Sequence, residues 1–264
     1  MNKKKLSASV VTYNSEYDIR GVMDSIYSSS CIEDLDVYVI DNGSSDRTID
    51  ILKKEYLRTR LIETGKNIGY GSGHNIALKE SHADYHFVIN PDVRFGNYVI
   101  EDIYNYMELD TETVLSIPTI YGENGERKYP PKRDPQLHYL LARYFPNMPI
   151  CKKWINEYCE IEKTTRAEQP FQINVCSGSF MAFRMKSIKA VNYFDEDYFL
   201  YFEDFDLSRR IRTQGKIMCL PNIMITHEGK REAHHSAKAK KLFFSSMITY
   251  YRKWGILNEH NVIT

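Results

Sequence analysis

Apolar residues along the first 120 positions fall into short buried runs separated by helix-period stretches. Leu6 to Thr12, Asp36 to Ile40, Arg60 to Glu63, Tyr85 to Ile89 and Val114 to Pro118 are β-branched or aromatic runs bounded by polar clusters, the pattern of strands covered on both faces. Between them, Ile19, Val22, Met23 and Ile26 recur at helical spacing, and helices are predicted over Arg47 to Tyr56, His74 to Glu80 and Tyr98 to Met107. Strands alternating with helices at this spacing predict a parallel, doubly wound sheet. Its crossovers are right-handed, and the carboxyl ends of its strands face one crevice. The regularity then breaks. Tyr121 to Pro170 holds six of the nine prolines with no clean period, which predicts an irregular insertion (121–172) of loops and short helices beside a binding site. Order returns with a strand carrying a glycine break over Val175 to Arg184, a short helix from Lys186, a helix over Phe205 to Gln214, and brief strands at Lys216 to Leu220 and Ile223 to Thr226. Ala237 to Trp254 reads as a basic amphipathic helix with an aromatic face.

The segment Asp84 to Phe95 joins the best strand to the best metal-ligand signal. Pro91 cannot donate to a ladder and biases Asn90 towards an extended conformation, so the strand ends with Asn90 and Asp92 at its carboxyl edge. An amide oxygen and a carboxylate two residues apart make a hard oxygen pair, suited to Mg2+ or Mn2+. The same residues also suit a simple Asx turn.

Charge and cysteine content narrow the classes. Lys+Arg and Asp+Glu balance at 35 each, so no global basic field points to nucleic acid. Between Lys230 and Lys253, however, seven basic residues face one acid, Glu232. The five cysteines are odd in number and form no CxxC pair, which suggests reduced thiols in a cytoplasmic protein. No run of eighteen apolar residues exists, and the basic N-terminus leads into a run too short and polar for a signal segment.

Three further clusters carry chemistry. Asp41 ends the second strand in Asp-Asn-Gly-Ser-Ser-Asp, where a carboxylate can accept from a base N–H or a ribose hydroxyl and Gly43 allows close backbone approach. Ser45 or Asp46 can cap the next helix in the same segment. Gly65 to Asn75 packs four glycines and Lys66 ahead of a helix, which suits anionic oxygens, although it matches neither a Walker A loop nor GxGxxG. Glu203 and Asp204, wedged between Phe202 and Phe205, stand where desolvation and mutual repulsion can raise one pKa towards a general base; they also suit the positive end of the following helix. His227, after a short strand, is a possible third ligand for a metal.

Taken in order, Val-Val-Thr-Tyr-Asn, Val-Ile-Asp-Asn-Gly-Ser-Ser-Asp, Gly-Lys-Asn-Ile-Gly-Tyr-Gly-Ser-Gly-His-Asn, Ile-Asn-Pro-Asp-Val, Cys-Ser-Gly-Ser-Phe-Met, Tyr-Phe-Glu-Asp-Phe-Asp-Leu-Ser-Arg-Arg and a late His resemble the family 2 inverting glycosyltransferases. The likeness covers about residues 6 to 230 and is strongest to the bacterial rhamnosyltransferases of surface polysaccharide (O-antigen) synthesis. It implies a GT-A α/β fold: a Rossmann-like, mostly parallel sheet with helices on both faces, a mixed acceptor-side half and a C-terminal helix. Residues 1–120 would form the nucleotide-sugar half, 121–235 the acceptor and catalytic half, and 236–264 the basic helix, all in one domain. The resemblance places Thr12, Tyr13, Asn14, Asp41 and Gly43 on the nucleotide, and Lys66, Asn67, Gly73 and Asn75 beside the diphosphate and sugar. Asn90 and Asp92 fall on the DxD element, with His227 as the late ligand to Mn2+ or Mg2+. Asp204, beside Glu203, falls on the catalytic base, and Ser177, Gly178 and Ser179 face the acceptor. Asn90 replaces the first acid of DxD and so weakens the expected metal site. The implied donor is dTDP-L-rhamnose and the implied acceptor a glycan or lipid-diphosphate-linked sugar, handled in the cytoplasm or at the inner face of the membrane. Two other readings stay open: a same-fold transferase using a UDP-hexose, and a non-catalytic nucleotide-sugar-binding protein. The 237–254 helix either packs on the catalytic domain or docks on anionic lipid as a peripheral membrane contact.

Overall fold

A computed structural model of the chain describes residues 5–229 and 236–255. The basic residues 230 and 231, Glu232, and the 256–264 part of the predicted C-terminal segment lie outside the described residues.

The strands are β1 (Leu6–Thr12), β2 (Leu35–Asp41), β3 (Arg60–Glu63), β4 (Tyr85–Ile89), β5 (Val93–Phe95), β6 (Thr113–Tyr121), β7 (Phe171–Ile173), β8 (Phe180–Arg184) and β9 (Lys216–His227). The helices are α1 (Ile19–Tyr27), α2 (Thr48–Glu55), α3 (Tyr70–Glu80), α4 (Val99–Leu109), α5 (Leu137–Ala142), α6 (Pro149–Cys159), α7 (Ile161–Arg166), α8 (Met185–Ala190), α9 (Glu203–Ile211) and α10 (Ala237–Trp254). One sheet runs β3-β2-β1-β4-β8-β6-β9-β5, with β7 paired to β9. β3, β2, β1 and β4 are parallel, as the βα alternation predicts, and β8 enters antiparallel between β4 and β6.

Burial follows the two faces. Leu6, Ala8 and Val10 of β1 and Tyr85, Phe87 and Ile89 of β4 pack against α1, α2 and α4. Val88, Leu115, Met181 and Phe183 pack on the opposite face with Ile188 of α8 and Leu207 and Ile211 of α9. Phe180 of β8 and Met218, Leu220 and Ile225 of β9 share the first cluster with β1, so the two halves of the chain close over common packing. Truncating a ring such as Phe87, fully buried there, costs about 3–5 kcal/mol. On the other face of β1, Ser7 and Ser9 point at two buried histidines. His86 accepts or donates at both ring nitrogens, to Ser7 Oγ and Ser9 Oγ at 2.7 Å each, and Ser9 Oγ also meets His74 Nδ1 at 2.8 Å. Burial pushes both imidazoles well down, His86 to about 3, so this ladder is neutral.

Several boundaries differ from the sequence expectation. α3 starts at Tyr70 instead of His74, because Gly71 and Gly73 are helix-packing positions. A Cβ on Gly73 would stand 2.8 Å from Val11 of β1, and one on Gly71 2.9 Å from Phe194. The predicted strand over Val175 to Arg184 is a strand only from Phe180. The two brief strands at 216–226 are one, β9, whose register against β6 jumps from Leu220 to Met224 and so absorbs Pro221 as an irregularity. The insertion holds three helices, α5 to α7, and the short β7.

Candidate active site

The carboxyl edges of β1 and β2 form the first wall. Thr12 and Asp41 are register partners, and Asn42 N–H donates to Thr12 C=O at 2.8 Å. Asp41 Oδ2 accepts from Gly43 N–H at 3.0 Å and Ser44 N–H at 2.8 Å, which fixes the carboxylate and leaves Oδ1 buried with no protein partner. Thr12 Oγ1 is buried and unpartnered in the same way. Two unsatisfied polar atoms side by side at a sheet's carboxyl edge call for a ligand. Asn14, at φ 52°, ties the loops together: its N–H donates to Ser44 Oγ at 2.9 Å and its Oδ1 accepts from Ser45 N–H at 2.8 Å. Tyr13 beside it is 48 % exposed. Gly43, at φ +78°, lies where a Cβ would meet Lys66 backbone at 3.0 Å, so only glycine lets these two loops touch.

The glycine-rich loop is shorter than its composition suggests and ends at Gly69. Lys66 and Asn67 are exposed on it, and Asn67 Oδ1 accepts from Gly69 N–H at 3.0 Å. Gly73 and Asn75, expected to border the diphosphate, do other work. Gly73 packs on Val11 inside α3, and the Asn75 side chain exchanges bonds with Phe194 backbone N–H and C=O at 3.0 and 2.9 Å and donates to Glu196 at 2.9 Å. The composition of the loop hides where the helix begins.

The second wall is the end of β4. β5 pairs antiparallel with β9, Val93 opposite His227, and this sets His227 Nε2 3.1 Å from Asp92 Oδ1. Asp92 Oδ2 accepts from Gly229 N–H at 3.1 Å. Burial alone would raise this carboxyl; the bonds from His227 and Gly229 outweigh it and hold Asp92 below the usual carboxylate range. Asn90 Oδ1 is buried and has no partner. Among the described residues no three His, Cys, Asp or Glu side chains cluster as a metal site. The donor types near the end of β4 are one carboxylate, one imidazole and one orphaned amide oxygen, a mix that could hold a divalent cation that prefers oxygen.

The third wall is the start of α9. Tyr201 and Phe202 both take left-handed backbone, φ 70° and 69°, and turn the chain sharply into Glu203 and Asp204. Such paired strain in non-glycine residues persists only where surrounding packing imposes it. Asp204 Oδ2 accepts from Gly178 N–H at 3.2 Å and Oδ1 from Phe205 N–H at 2.9 Å. Desolvation overrides these bonds and pushes Asp204 up to about 6. Glu203, buried with Oε2 unpartnered, is pushed well above its ordinary value, first by desolvation and then by Asp204.

The Ser177-Gly178-Ser179 loop joins the second and third walls. Ser179 C=O accepts from Asn90 N–H at 2.9 Å, Gly178 N–H reaches Asp204, and the two serine hydroxyls lie 3.2 Å apart. Tyr70 closes the path to the first wall. Its hydroxyl donates to Gly178 C=O, its N–H to Phe199 C=O at 3.0 Å, and the adjacent Gly69 C=O accepts from Asn42 Nδ2 at 3.0 Å. Burial pushes the Tyr70 phenol well up, and the fields of Glu203, Asp204 and Asp92 push it further. The segments that carry Asp41, Asp92 and Asp204 are thus linked in turn through Asn42, Gly69, Tyr70 and the Ser177–Ser179 loop. Sequence reasoning missed Tyr70, because a tyrosine between two glycines carries no mark that separates it from a packing aromatic.

The aromatic side of α10 is turned inward, against the expectation that it could be free for lipid. Phe243, Met247, Tyr250, Tyr251 and Trp254 pack with Tyr139, Tyr158, Tyr198 and Phe202. Trp254 Nε1 donates to Asp206 Oδ1 at 2.9 Å, and Lys253 Nζ reaches the same carboxylate at 2.7 Å. Among the described residues no helix is long and apolar enough to cross a membrane, and all five cysteines are buried thiols outside any disulfide.

The sequence matches the profile of Glycosyl transferase family 2 over residues 7–191. It is 28 % identical over 241 residues to the N-acetylglucosaminyl-diphospho-decaprenol L-rhamnosyltransferase of Mycobacterium tuberculosis, covering 83 % of this chain and 76 % of that protein. It is 27 % identical over 216 residues to Rhamnosyltransferase WbbL of Escherichia coli, covering 75 % of each. The fold is similar to that of GalNAc-T7 crystallised with UDP, GalNAc and Mn2+: the TM-score is 0.67 at 13 % identity, over 96 % of this chain and 50 % of that one.

Proposed function

The chain belongs to glycosyl transferase family 2 and has the GT-A fold, and from that premise we propose that it is an inverting transferase. Its reaction moves L-rhamnose from dTDP-L-rhamnose to a hydroxyl of a lipid-diphosphate-linked or oligosaccharide acceptor. As a glycosyltransferase it is an enzyme, so the non-catalytic reading raised by Asn90 falls away. The reading is supported above all by one observation: the Ser177–Ser179 loop binds Asp204, whose carboxyl is raised towards neutral pH, through Gly178 N–H, and binds Asn90, two residues before the His227-paired Asp92, through Ser179 C=O.

Residues 1–120 hold the donor. Asp41 Oδ1, buried and fixed, accepts the imide N–H that thymine and uracil share, with Thr12, Tyr13 and Asn14 around the base and ribose. Lys66, Asn67 and the N–H groups after Gly65 border the diphosphate. Asp92, His227 and Asn90 Oδ1 would hold a divalent cation, which supplies positive charge to the leaving diphosphate. Residues 121–235 present the acceptor. Asp204 takes the proton of the acceptor hydroxyl as that oxygen bonds to the anomeric carbon, the bond from that carbon to the diphosphate oxygen breaks on the opposite face, and the configuration inverts. Ser177 and Ser179 orient the attacking sugar beside Asp204, and the neighbouring Glu203 carboxyl is raised well above its ordinary value by burial and by Asp204.

The two rhamnosyltransferase relatives favour rhamnose as the sugar and, in one of them, a polyprenyl diphosphate as the acceptor anchor. That acceptor would place the work at the cytoplasmic face of a membrane. A UDP-hexose donor is the second reading, favoured by the UDP in the similar structure. Thermal-shift titration with dTDP, UDP and GDP, followed by transfer assays with the matching sugars, separates them. Stabilisation by dTDP with rhamnose transfer supports the first reading, UDP preference with hexose transfer the second, and no response to any nucleotide sinks both.

A further inference from the structure

The transfer reaction leaves one conspicuous surface unused, at the tip of the α5–α6 hairpin. Pro146 and Pro149 stop α5 from continuing, and α6 starts with Pro149 at its first position. The chain between them is held in tight turns: Tyr144 N–H donates to Leu141 C=O at 3.0 Å, Phe145 N–H to Ala142 C=O and Met148 N–H to Phe145 C=O, both at 3.1 Å. The underside of the hairpin is well anchored. Tyr139 stacks on Tyr158 at 5.0 Å, and Tyr158 stacks on Phe205, the residue after Asp204.

The outer side is the opposite. Leu141, Tyr144, Phe145, Met148 and Ile150 are 52, 64, 59, 51 and 45 % exposed, five large apolar side chains within ten residues. None of the five belongs to the ring cluster beneath, and a patch of this kind marks a contact surface. Its charge says with what. No acid occurs between Asp134 and Glu157, while Arg143, Lys152 and Lys153 stand exposed around the apolar residues. Aromatic and aliphatic side chains inside an acid-free basic frame match the boundary between anionic headgroups and acyl chains. A second copy of the chain would bring three like charges against these three, which opposes self-docking through the tip.

We propose that the α5–α6 tip is a docking surface for an anionic lipid bilayer, with Phe145, Met148 and Ile150 entering the headgroup boundary and Arg143, Lys152 and Lys153 against lipid phosphates. The docking does not depend on the identity of the donor or acceptor. It sets a membrane contact on the insertion, apart from α10, most of whose rings pack inward while Phe244 stays 46 % exposed.

Co-sedimentation of the full chain tests this with vesicles of phosphatidylcholine, alone or with about a quarter phosphatidylglycerol. The chain is expected to sediment with the anionic vesicles and only weakly with the neutral ones. Phe145→Ser/Met148→Ser/Ile150→Ser, and separately Lys152→Glu/Lys153→Glu, are expected to weaken binding by about tenfold or more with unchanged melting temperature. The charge pair should also flatten the salt dependence. Wild-type chain that ignores both vesicles overturns the proposal, as do variants that bind like wild type. A dimer in light scattering that the triple variant dissolves would also overturn it, by assigning the patch to a second copy.

Discussion

Two aspartates on segments joined by the Ser177–Ser179 loop sit in opposite surroundings. Asp92, at the end of the parallel sheet, takes bonds from His227 and a backbone N–H that overcome its burial and keep it low. Asp204, in the first turn of α9, also accepts backbone bonds, yet desolvation wins and lifts it to about 6. The difference lies in the balance: on one wall the His227 imidazole and the Gly229 N–H outweigh burial, and on the other burial outweighs the Gly178 and Phe205 N–H groups. On the proposed reading, one residue type is thereby set to two tasks, a lasting negative charge for cation chemistry and a carboxylate near neutral pH for taking a proton.

The sharpest way to break this division is Asp204→Asn. It is expected to lower kcat by about a thousandfold, within the range of lost general-base catalysis, while calorimetry shows nucleoside diphosphate binding unchanged. A raised carboxyl pKa means that ionised Asp204 opposes folding above about pH 6, so the amide should not lower, and should slightly raise, the melting temperature at pH 7.5. A variant that turns over normally removes Asp204 from the role, and one that simply melts early makes it structural. Asp92→Asn comes next. Loss of the fixed charge should weaken donor binding in Mn2+ by about 10–100-fold, and EDTA should silence wild type until Mn2+ or Mg2+ is restored; activity indifferent to chelator would take the cation away from Asp92.

Smaller effects sharpen the picture. The acid limb of kcat/KM should fall near pH 6, because the base must be ionised, and Glu203→Gln should leave that limb in place with activity within about tenfold, since Glu203 is held protonated already. A limb near pH 4 would show Asp204 to be an ordinary solvated acid. Tyr70→Phe removes only the hydroxyl that holds Gly178 C=O. One lost bond of about 0.5–1.5 kcal/mol should lower kcat roughly threefold to tenfold without changing donor affinity; an unchanged kcat would show the Gly178 loop to be held without it.

Much of this was legible before any coordinates. The four parallel strands announce themselves as compact β-branched runs, and Pro91 marks where the central one must stop, so Asp41, Asn90 and Asp92 could be set at the sheet edge from sequence alone. What failed did so for physical reasons. Glycine reads as loop by propensity, yet at Gly71 and Gly73 its missing side chain is what lets α3 approach Val11 and Phe194. Side-chain period says nothing about strand direction, so the antiparallel entry of β8 was invisible. Pro221 looked like a strand end because an irregularity in register cannot be seen without the neighbouring strand. The aromatic face of α10 was plain, but whether it met lipid or protein depended on the ring cluster assembled from 139, 158, 198 and 202.

That last helix sets an order on synthesis. Asp206, two residues past Asp204, has Arg210 as a local partner, but its other two, Lys253 and Trp254, are among the last described residues to leave the ribosome. A nascent chain can complete β1 to β4 early, yet the helix bearing Asp204 is not fully braced until α10 has been made. Removal of α10 by a protease or a premature stop codon would undo that bracing without touching a single residue of the nucleotide wall.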